Sequence, residues 1–178
     1  MSESRQDAAK IREAVERNDR VVTARPSVGK GTAVTSVHWR GGLSCEVVSG
    51  TWRFNVGMSD NYGGADEAPN PGVYGRAALG SCLAVGYAMW AARLGVPLRA
   101  LSVDVHADYD VRGELGIDDD VRPGYLAMRY DVTIDSEAPQ EEVLRMLDTA
   151  EKYSSYLDDF RNPVPVTRTV RFASSQEA

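Results

Sequence analysis

One uncharged stretch, AALGSCLAVGYAMWAA at residues 77–92, decides the fold. It lies between Arg76 and Arg93, and Gly95 then supplies a helix stop, so we predict a helix over about 72–94. Sixteen uncharged residues fall short of the ~20 that span a bilayer, which favours a buried helix. Because this helix is apolar all round, it must be covered on every side, and a partner subunit is a natural second layer.

The segments around this helix are typical of short strands and two further helices. On its N-terminal side, glycine-bearing breaks separate β-rich runs, which indicates hairpins. On its C-terminal side, alternating apolar residues indicate half-buried strands. The predicted helices are 4–18, 72–94 and 139–156, the strands are 33–39, 43–49, 52–56, 98–108, 125–134 and 164–172, and the long loops are 57–72 and 109–124. Because the strands come in antiparallel-style runs, we predict an α+β fold.

Composition limits the function and the location. The chain has 178 residues, 43% hydrophobic and 26% charged, as in a single soluble globular domain. A net charge of -6 argues against nonspecific nucleic-acid binding. The polar N-terminus has no signal-peptide core, so we expect a cytoplasmic protein that does not associate with membranes. We divide the chain into an N-terminal helical extension and linker, residues 1–30, and one domain, residues 31–178.

Two cysteines, Cys45 and Cys82, are too few for a disulfide-rich scaffold. Neither a zinc-type Cys/His spacing nor a nucleotide-binding fingerprint occurs, so we expect no metal and no cofactor. Cys82 lies in the middle of the apolar helix, where a buried thiol is normally inert. A reactive Cys82 needs a fixed cation from elsewhere in the fold, because Arg76 lies on a different helix face and Arg93 is about 16 Å away along the axis.

Several motifs resemble the OsmC/Ohr family of osmotically inducible and organic hydroperoxide resistance proteins. Asn70-Pro71, followed by Ala77-Ala78-Leu79-Gly80-Ser81-Cys82-Leu83, is similar to the family's central helix, with a cysteine eleven residues after the proline. Residues 98–108, then Val111-Arg112-Gly113-Glu114-Leu115-Gly116 and Pro123-Gly124, resemble its strand, RG-containing loop and return strand. Ala150-Glu151-Lys152-Tyr153 resembles the approach to its second cysteine. The resemblance covers roughly residues 33–172.

The resemblance implies an intertwined homodimer in which sheets wrap two central helices. It also implies thiol-dependent reduction of organic hydroperoxides, in which a first cysteine becomes a sulfenic acid and a second cysteine resolves it as a disulfide. In the family an arginine from the first hairpin holds the thiolate, and a glutamate on the central helix orients that arginine. This chemistry is coherent, because a guanidinium allows a buried thiol to ionise.

Carried over residue by residue, the resemblance assigns Cys82 as the peroxidatic cysteine. Arg40, in the first hairpin, matches the family's arginine, and Arg53 is the fallback. The glutamate position is Gly72 in this sequence. Glu67 and Asp66, on the preceding loop, are the candidates to substitute for the missing carboxylate.

The second-cysteine position is Ser154, with Ser155 beside it. Because a serine cannot form the disulfide, the two-cysteine mechanism does not apply, and a one-cysteine mechanism remains in which Cys82 is oxidised and an external thiol reduces it. Cys45 is either an alternative resolving residue or, as its alternating strand position favours, a packing residue. Two other functions stay open: a dimer that binds a small apolar or electrophilic ligand between the subunits without peroxidase activity, and a structural dimer whose Cys82 belongs only to the core.

Overall fold

The computed structural model describes residues 3–172. Antiparallel strand pairs and helices of very different length alternate along the chain. The helices are α1 (Glu3–Ala24), α2 (Pro71–Leu94), α3 (Val111–Glu114), α4 (Gln140–Lys152) and α5 (Ser155–Arg161), and the strands are β1 (Ser36–Gly41), β2 (Ser44–Ser49), β3 (Trp52–Val56), β4 (Ala100–Asp108) and β5 (Ala127–Asp135). This arrangement confirms the predicted α+β class.

The central helix α2 begins and ends where the sequence predicts. The Asn70 side chain accepts a hydrogen bond from the backbone N–H of Val73 at 3.1 Å, and Pro71 occupies the first helical turn, where it removes no needed donor. At the other end Gly95 adopts a left-handed φ of 75°, and its backbone N–H donates to the Ala91 carbonyl. Glycine reaches that φ without steric cost, so the helix ends there.

One face of α2 forms the core of the domain. Leu79, Leu83 and Tyr87 are at most 2% exposed and pack against α4, α5 and β4. On the opposite face Val85 is 67% exposed. Among the described helices α2 alone is long and apolar enough to cross a membrane, but its packed face makes it the central helix of the domain. One side of α2 is therefore covered within the chain, and residues 3–172 do not supply the cover predicted for the other side.

Strands β4 and β5 form a two-stranded antiparallel sheet that covers α2. Their pairing runs from Ala100 opposite Asp135 to Asp108 opposite Ala127. Alternate apolar side chains face the helix, while the polar ones face outward. At Gly80 of α2 an added Cβ would lie 3.1 Å from the Cγ2 atom of Val105. The missing side chain therefore lets the helix lie close to the sheet.

Strands β1, β2 and β3 form a separate antiparallel sheet with one apolar face. The register aligns Trp39 with Cys45 and Cys45 with Val56, and the next row of this face contains Val37, Val47 and Phe54. Although Val47 is buried, Trp39 is 72% exposed. The sheet therefore presents a largely uncovered apolar face within one chain.

The helix predicted over 139–156 is two helices. It is interrupted at Tyr153, and Ser154 starts α5 by accepting a hydrogen bond from the Leu157 N–H at 3.4 Å. A serine favours this capping position over a helix interior, because its hydroxyl competes for backbone donors.

The strand predicted over 164–172 is not formed. This segment pairs with no strand among the described residues, and Val166 is 90% exposed and Phe172 is 93% exposed. The alternating pattern predicted a half-buried strand, but a strand also needs a hydrogen-bonded neighbour, and the described part of the chain places none beside this segment. The loop predicted over 109–124 contains the short helix α3.

The first helix extends beyond its predicted end at residue 18, to Ala24. It packs beside the C-terminal part of α2, where the Arg12 Nε donates to the Ala92 carbonyl at 2.7 Å. The predicted extension over residues 1–30 thus contains α1, while its boundary as a domain stays a prediction.

Candidate functional site

Cys82 lies half-buried on α2, beside a pocket of about 510 Å³. The helix contributes one wall of this pocket, and the junction between α4 and α5 contributes the other. Most of the lining side chains are small or apolar, and the others carry hydroxyl groups. The lining residues are Ala78, Ser81, Cys82, Val85, Gly86, Met89, Trp90, Ala150, Tyr153, Ser154, Ser155 and Tyr156. A thiol at the edge of an apolar pocket is accessible to a small organic molecule.

The junction between α4 and α5 places two hydroxyl groups on the Cys82 sulfur. The Sγ atom lies 3.5 Å from the Oγ of Ser154 and 3.6 Å from the Oγ of Ser155. The Ser154 hydroxyl also accepts the Leu157 N–H, so its own proton is left to point at the sulfur. The serine at the family's second-cysteine position is therefore in direct contact with Cys82, as its place in the resemblance requires.

These donors change the acidity of the thiol. Burial acts to raise the pKa of Cys82, but hydrogen bonds from the Ser154 hydroxyl, the Tyr156 backbone and Ser155 outweigh it. The net effect holds the pKa of Cys82 below its ordinary value. Since the thiolate is the nucleophile, the pocket favours the reactive form of the residue without a guanidinium of its own chain.

Removal of one of these donors is expected to make the thiol less acidic. In Ser155→Ala the thiolate loses one hydrogen bond while Ser154, the cap of α5, stays in place. The pKa of Cys82 then rises, and the midpoint of iodoacetamide alkylation against pH moves upward. The control is Ser81→Ala, because the Ser81 hydroxyl donates to the Ala78 carbonyl and not to the sulfur. An unchanged midpoint in Ser155→Ala would show that its hydroxyl does not stabilise the thiolate.

A stack of side chains ties the pocket wall to the N-terminal helix. Trp90 and Tyr153 stack with ring centroids 5.2 Å apart, and the Arg93 guanidinium lies 4.5 Å above the Trp90 ring. Arg93 in turn pairs with Asp19 of α1 at 2.6 Å. No local pattern predicts this connection, because the four residues come from α1, α2 and the end of α4, which are far apart along the chain. It fixes the aromatic end of the pocket that Cys82 faces.

Arg40 and Arg53 lie on the N-terminal hairpins, away from this pocket within one chain. Both pair with Glu46, and the hydrogen bond from Arg40 lowers the pKa of that carboxyl. None of the described residues that line the Cys82 pocket carries a charge. The structure therefore does not bring Arg40 to Cys82 of the same chain, and their proposed pairing requires a second subunit.

The region expected to supply a carboxylate is closely packed. A Cβ at Gly72 would lie 3.2 to 3.3 Å from atoms of Asn70, Arg76 and Tyr125, so these neighbours occupy the space of a side chain. Glu67 lines a small cavity beside the β1–β2 turn at Gly41-Gly42. That cavity brings Glu67 near the hairpin that carries Arg40, although Arg40 pairs with Glu46 instead.

Cys45 lies on β2, opposite Trp39 and Val56 on the apolar sheet face. It does not line the Cys82 pocket. Its neighbours are those of a packing residue, and the structure of one chain provides no path for it to resolve an oxidised Cys82.

Comparisons with known proteins place this geometry in a family. The profile described as OsmC-like protein matches residues 63–169, which include α2, the two strands β4 and β5 that cover this helix, and the Cys82 pocket. No curated protein matches the sequence. The matched region contains all the motifs on which the predicted resemblance rests.

Solved structures share the architecture at low sequence identity. An OsmC like protein from Mycoplasma pneumoniae is 11% identical with a TM-score of 0.65, covering 75% of this chain and 90% of that one. An organic hydroperoxide resistance protein OsmC from Legionella pneumophila is 17% identical with a TM-score of 0.54, covering 74% and 90%. One from Elizabethkingia anophelis is also 17% identical with a TM-score of 0.54, covering 75% and 91%. With a family profile matched over more than half of its length, this chain belongs to the family of OsmC-like proteins.

Proposed function

We propose that this protein reduces organic hydroperoxides with Cys82 as its single redox cysteine. The observation that carries the proposal is the contact of the Cys82 sulfur with two hydroxyl donors in an apolar pocket. The pocket suits an apolar peroxide, and the lowered pKa of the thiol favours the nucleophile. Two structural neighbours are described as organic hydroperoxide resistance proteins, which agrees with this chemistry.

The reaction balances with an external thiol as the reductant. The Cys82 thiolate attacks the terminal oxygen of ROOH, the O–O bond breaks, and an alcohol leaves after taking up a proton, with the sulfur oxidised to a sulfenic acid. One external thiol then condenses with the sulfenic acid and releases water, which leaves a mixed disulfide. A second external thiol attacks that disulfide and restores Cys82. A cytoplasmic location would supply such thiols, and we include it in the proposal.

The rate of Cys82 oxidation by cumene hydroperoxide tests this proposal. The reduced Cys45→Ala variant removes background from the other thiol, and mass spectrometry follows the addition of one oxygen. We expect fast oxidation that saturates with peroxide concentration. Oxidation no faster than that of a free thiol such as glutathione would mean that the fold is kept for another purpose.

We further propose that the working unit is a homodimer. Two apolar surfaces are uncovered in one chain: the face of α2 that contains Val85 and the sheet face that contains Trp39 and Trp52, which are 67%, 72% and 76% exposed. The extended segment 163–172 lacks a strand partner among the described residues. Mutual cover would remove this surface from water, and it would also allow Arg40 of one subunit to approach Cys82 of the other.

Light scattering tests the dimer directly. We expect a particle of about twice the 19.4 kDa chain mass. Val85→Asp is expected to yield monomers, because it would place a charge in the interface. Ser102→Asp, on the outward polar face of β4, serves as the matched control and should stay dimeric. A monomeric wild-type protein would remove the basis for a shared site.

A second function is favoured by the uncharged lining of the pocket. The described lining of the pocket contains neither a second cysteine nor a guanidinium, so the pocket could bind a small apolar or electrophilic ligand without turning over peroxide. The two functions differ under turnover: a peroxidase consumes many equivalents of hydroperoxide in the presence of dithiothreitol, whereas a binding protein consumes at most one. A structural dimer with an inert Cys82 would consume none.

A further inference from the structure

Another cavity, of about 480 Å³, lies between the start of β5 and the C-terminal part of α5. Its floor is apolar: Leu79 and Leu157 are 2% and 5% exposed, and Met128 and Phe160 complete the lining near them. This cavity shares no lining residue with the Cys82 pocket. Its size and apolar floor are typical of sites for small organic ligands.

Two guanidinium groups line this cavity without a carboxylate partner. Arg122 and Arg161 form no ion pair with any carboxylate among the residues that the structure describes. Other described arginines, such as Arg112 and Arg129, are paired with aspartates. In a chain with a net charge of -6, two unpaired arginines on one cavity mark a local preference for an anion.

Tyr125, which lines the cavity, contacts a third arginine, Arg76. Its hydroxyl donates to the Gly72 carbonyl at 3.0 Å and accepts from the Arg76 Nη1 at 3.3 Å. Arg76 is half-buried and also has no carboxylate partner within the described part of the chain. Two arginines thus line the cavity and a third contacts one of its lining residues, and none of the three forms an ion pair with an acidic side chain among the described residues.

Tyr130 contributes a neutral hydroxyl to the lining, close to both Glu151 and Arg161. Burial, followed by the neighbouring Glu151, raises the pKa of Tyr130 to about 12, so its hydroxyl keeps its proton at physiological pH. Glu151 itself accepts the hydroxyl of the buried Tyr87 at 2.9 Å. Because one carboxylate already lies near this end of the cavity, a ligand with one negative charge is favoured over a dianion.

We propose that this cavity binds a small carboxylic acid in its ionised form, with a hydrocarbon tail. Arg122 and Arg161 bind the carboxylate, and Leu79, Met128 and Phe160 contact the tail. Guanidinium groups match the planar carboxylate and hold it by charge-assisted hydrogen bonds. The site is independent of the chemistry at Cys82, so a failure of one proposal leaves the other standing.

Isothermal titration of the full-length protein with octanoate tests the site. We expect saturable binding of one octanoate per chain, and weaker binding of 1-octanol, which has the same tail without the charge. Arg122→Gln and Arg161→Gln should each weaken octanoate binding by about tenfold or more. The matched control is Arg129→Gln. Arg129 lies on the outward face of β5, the strand that lines the cavity, and pairs with Asp108, so this variant should bind octanoate as the wild type does.

Three results would each overturn the proposal. The first is the absence of saturable octanoate binding to the folded wild-type protein. The second is equal affinity for octanoate and 1-octanol, which would leave the arginines without a role. The third is unchanged affinity in both Arg122→Gln and Arg161→Gln, with folding of each variant verified by circular dichroism.

Discussion

Replacement of Cys82 by serine is expected to abolish hydroperoxide reduction, with a loss of at least about 10³-fold in kcat/KM. The serine hydroxyl would occupy the same place beside Ser154 and Ser155, yet it does not ionise at neutral pH and is not readily oxidised by a peroxide. The measurement is consumption of cumene hydroperoxide with excess dithiothreitol. The loss should be in the chemical step, because the apolar walls of the pocket remain.

Cys45→Ser is the matched control for this loss. It removes the chain's other thiol, which lies on β2 outside the described lining of the Cys82 pocket. This variant should retain nearly the full rate of hydroperoxide consumption. Equal consumption by Cys82→Ser and the wild type would exclude Cys82 as the nucleophile. A large loss in Cys45→Ser alone would instead assign the redox role to β2.

The second large effect is expected from Ser154→Cys, which should introduce a disulfide to Cys82. The existing Sγ–Oγ distance is 3.5 Å, so the two sulfur atoms need to approach by only about 1.5 Å to reach disulfide length. The bond would close a loop of 72 residues and, in the chain-entropy model, stabilise the oxidised protein by about 4 kcal/mol. The lost serine cap of α5 would offset about 1 kcal/mol of this.

Mass spectrometry detects the disulfide, and denaturant unfolding of the oxidised protein measures the gain in its free energy of unfolding. After one equivalent of hydroperoxide, Ser154→Cys should lose two hydrogens rather than gain one oxygen, because the introduced thiol condenses with the sulfenic acid and releases water. Ser81→Cys is the control: it adds a thiol to the same pocket, but on the residue next to Cys82 in a helix, where a disulfide is strained. A Cys82 that is oxidised without pairing with the thiol introduced at position 154 would contradict the arrangement at the α4–α5 junction.

Local sequence patterns predicted most of the secondary structure, because the signals act within a few residues. The start of α2 follows from Asn70-Pro71 and its end from Gly95, and both are local capping effects. The hairpins follow from glycines at Gly41-Gly42 and Gly50, which adopt positive φ angles in the turns. The break between α4 and α5 was missed, since Ser154 acts as a cap only when its hydroxyl turns back to the Leu157 N–H.

The candidate site was predicted in part. The resemblance identified Cys82 and Ser154 as a pair, and the fold brings them into contact. Spacing along the chain gave no sign of Ser155 as a second donor or of Trp90 and Tyr153 as an aromatic wall, because these contacts join separate helices. The pairing of Arg40 with Cys82 stays a prediction that only a dimer can test.

The sequence by itself determined the family, the α+β class and the apolar central helix that contains Cys82. Those features depend on the order of residues and on helix capping, which involve residues close together along the chain. Only the tertiary structure decided how acidic that cysteine is, because its hydrogen-bond donors at Ser154 and Ser155 lie more than 70 residues away along the chain. It also decided that Arg122 and Arg161 line one cavity without carboxylate partners among the described residues, since packing of α5 against β5 brings together charges that the sequence keeps apart.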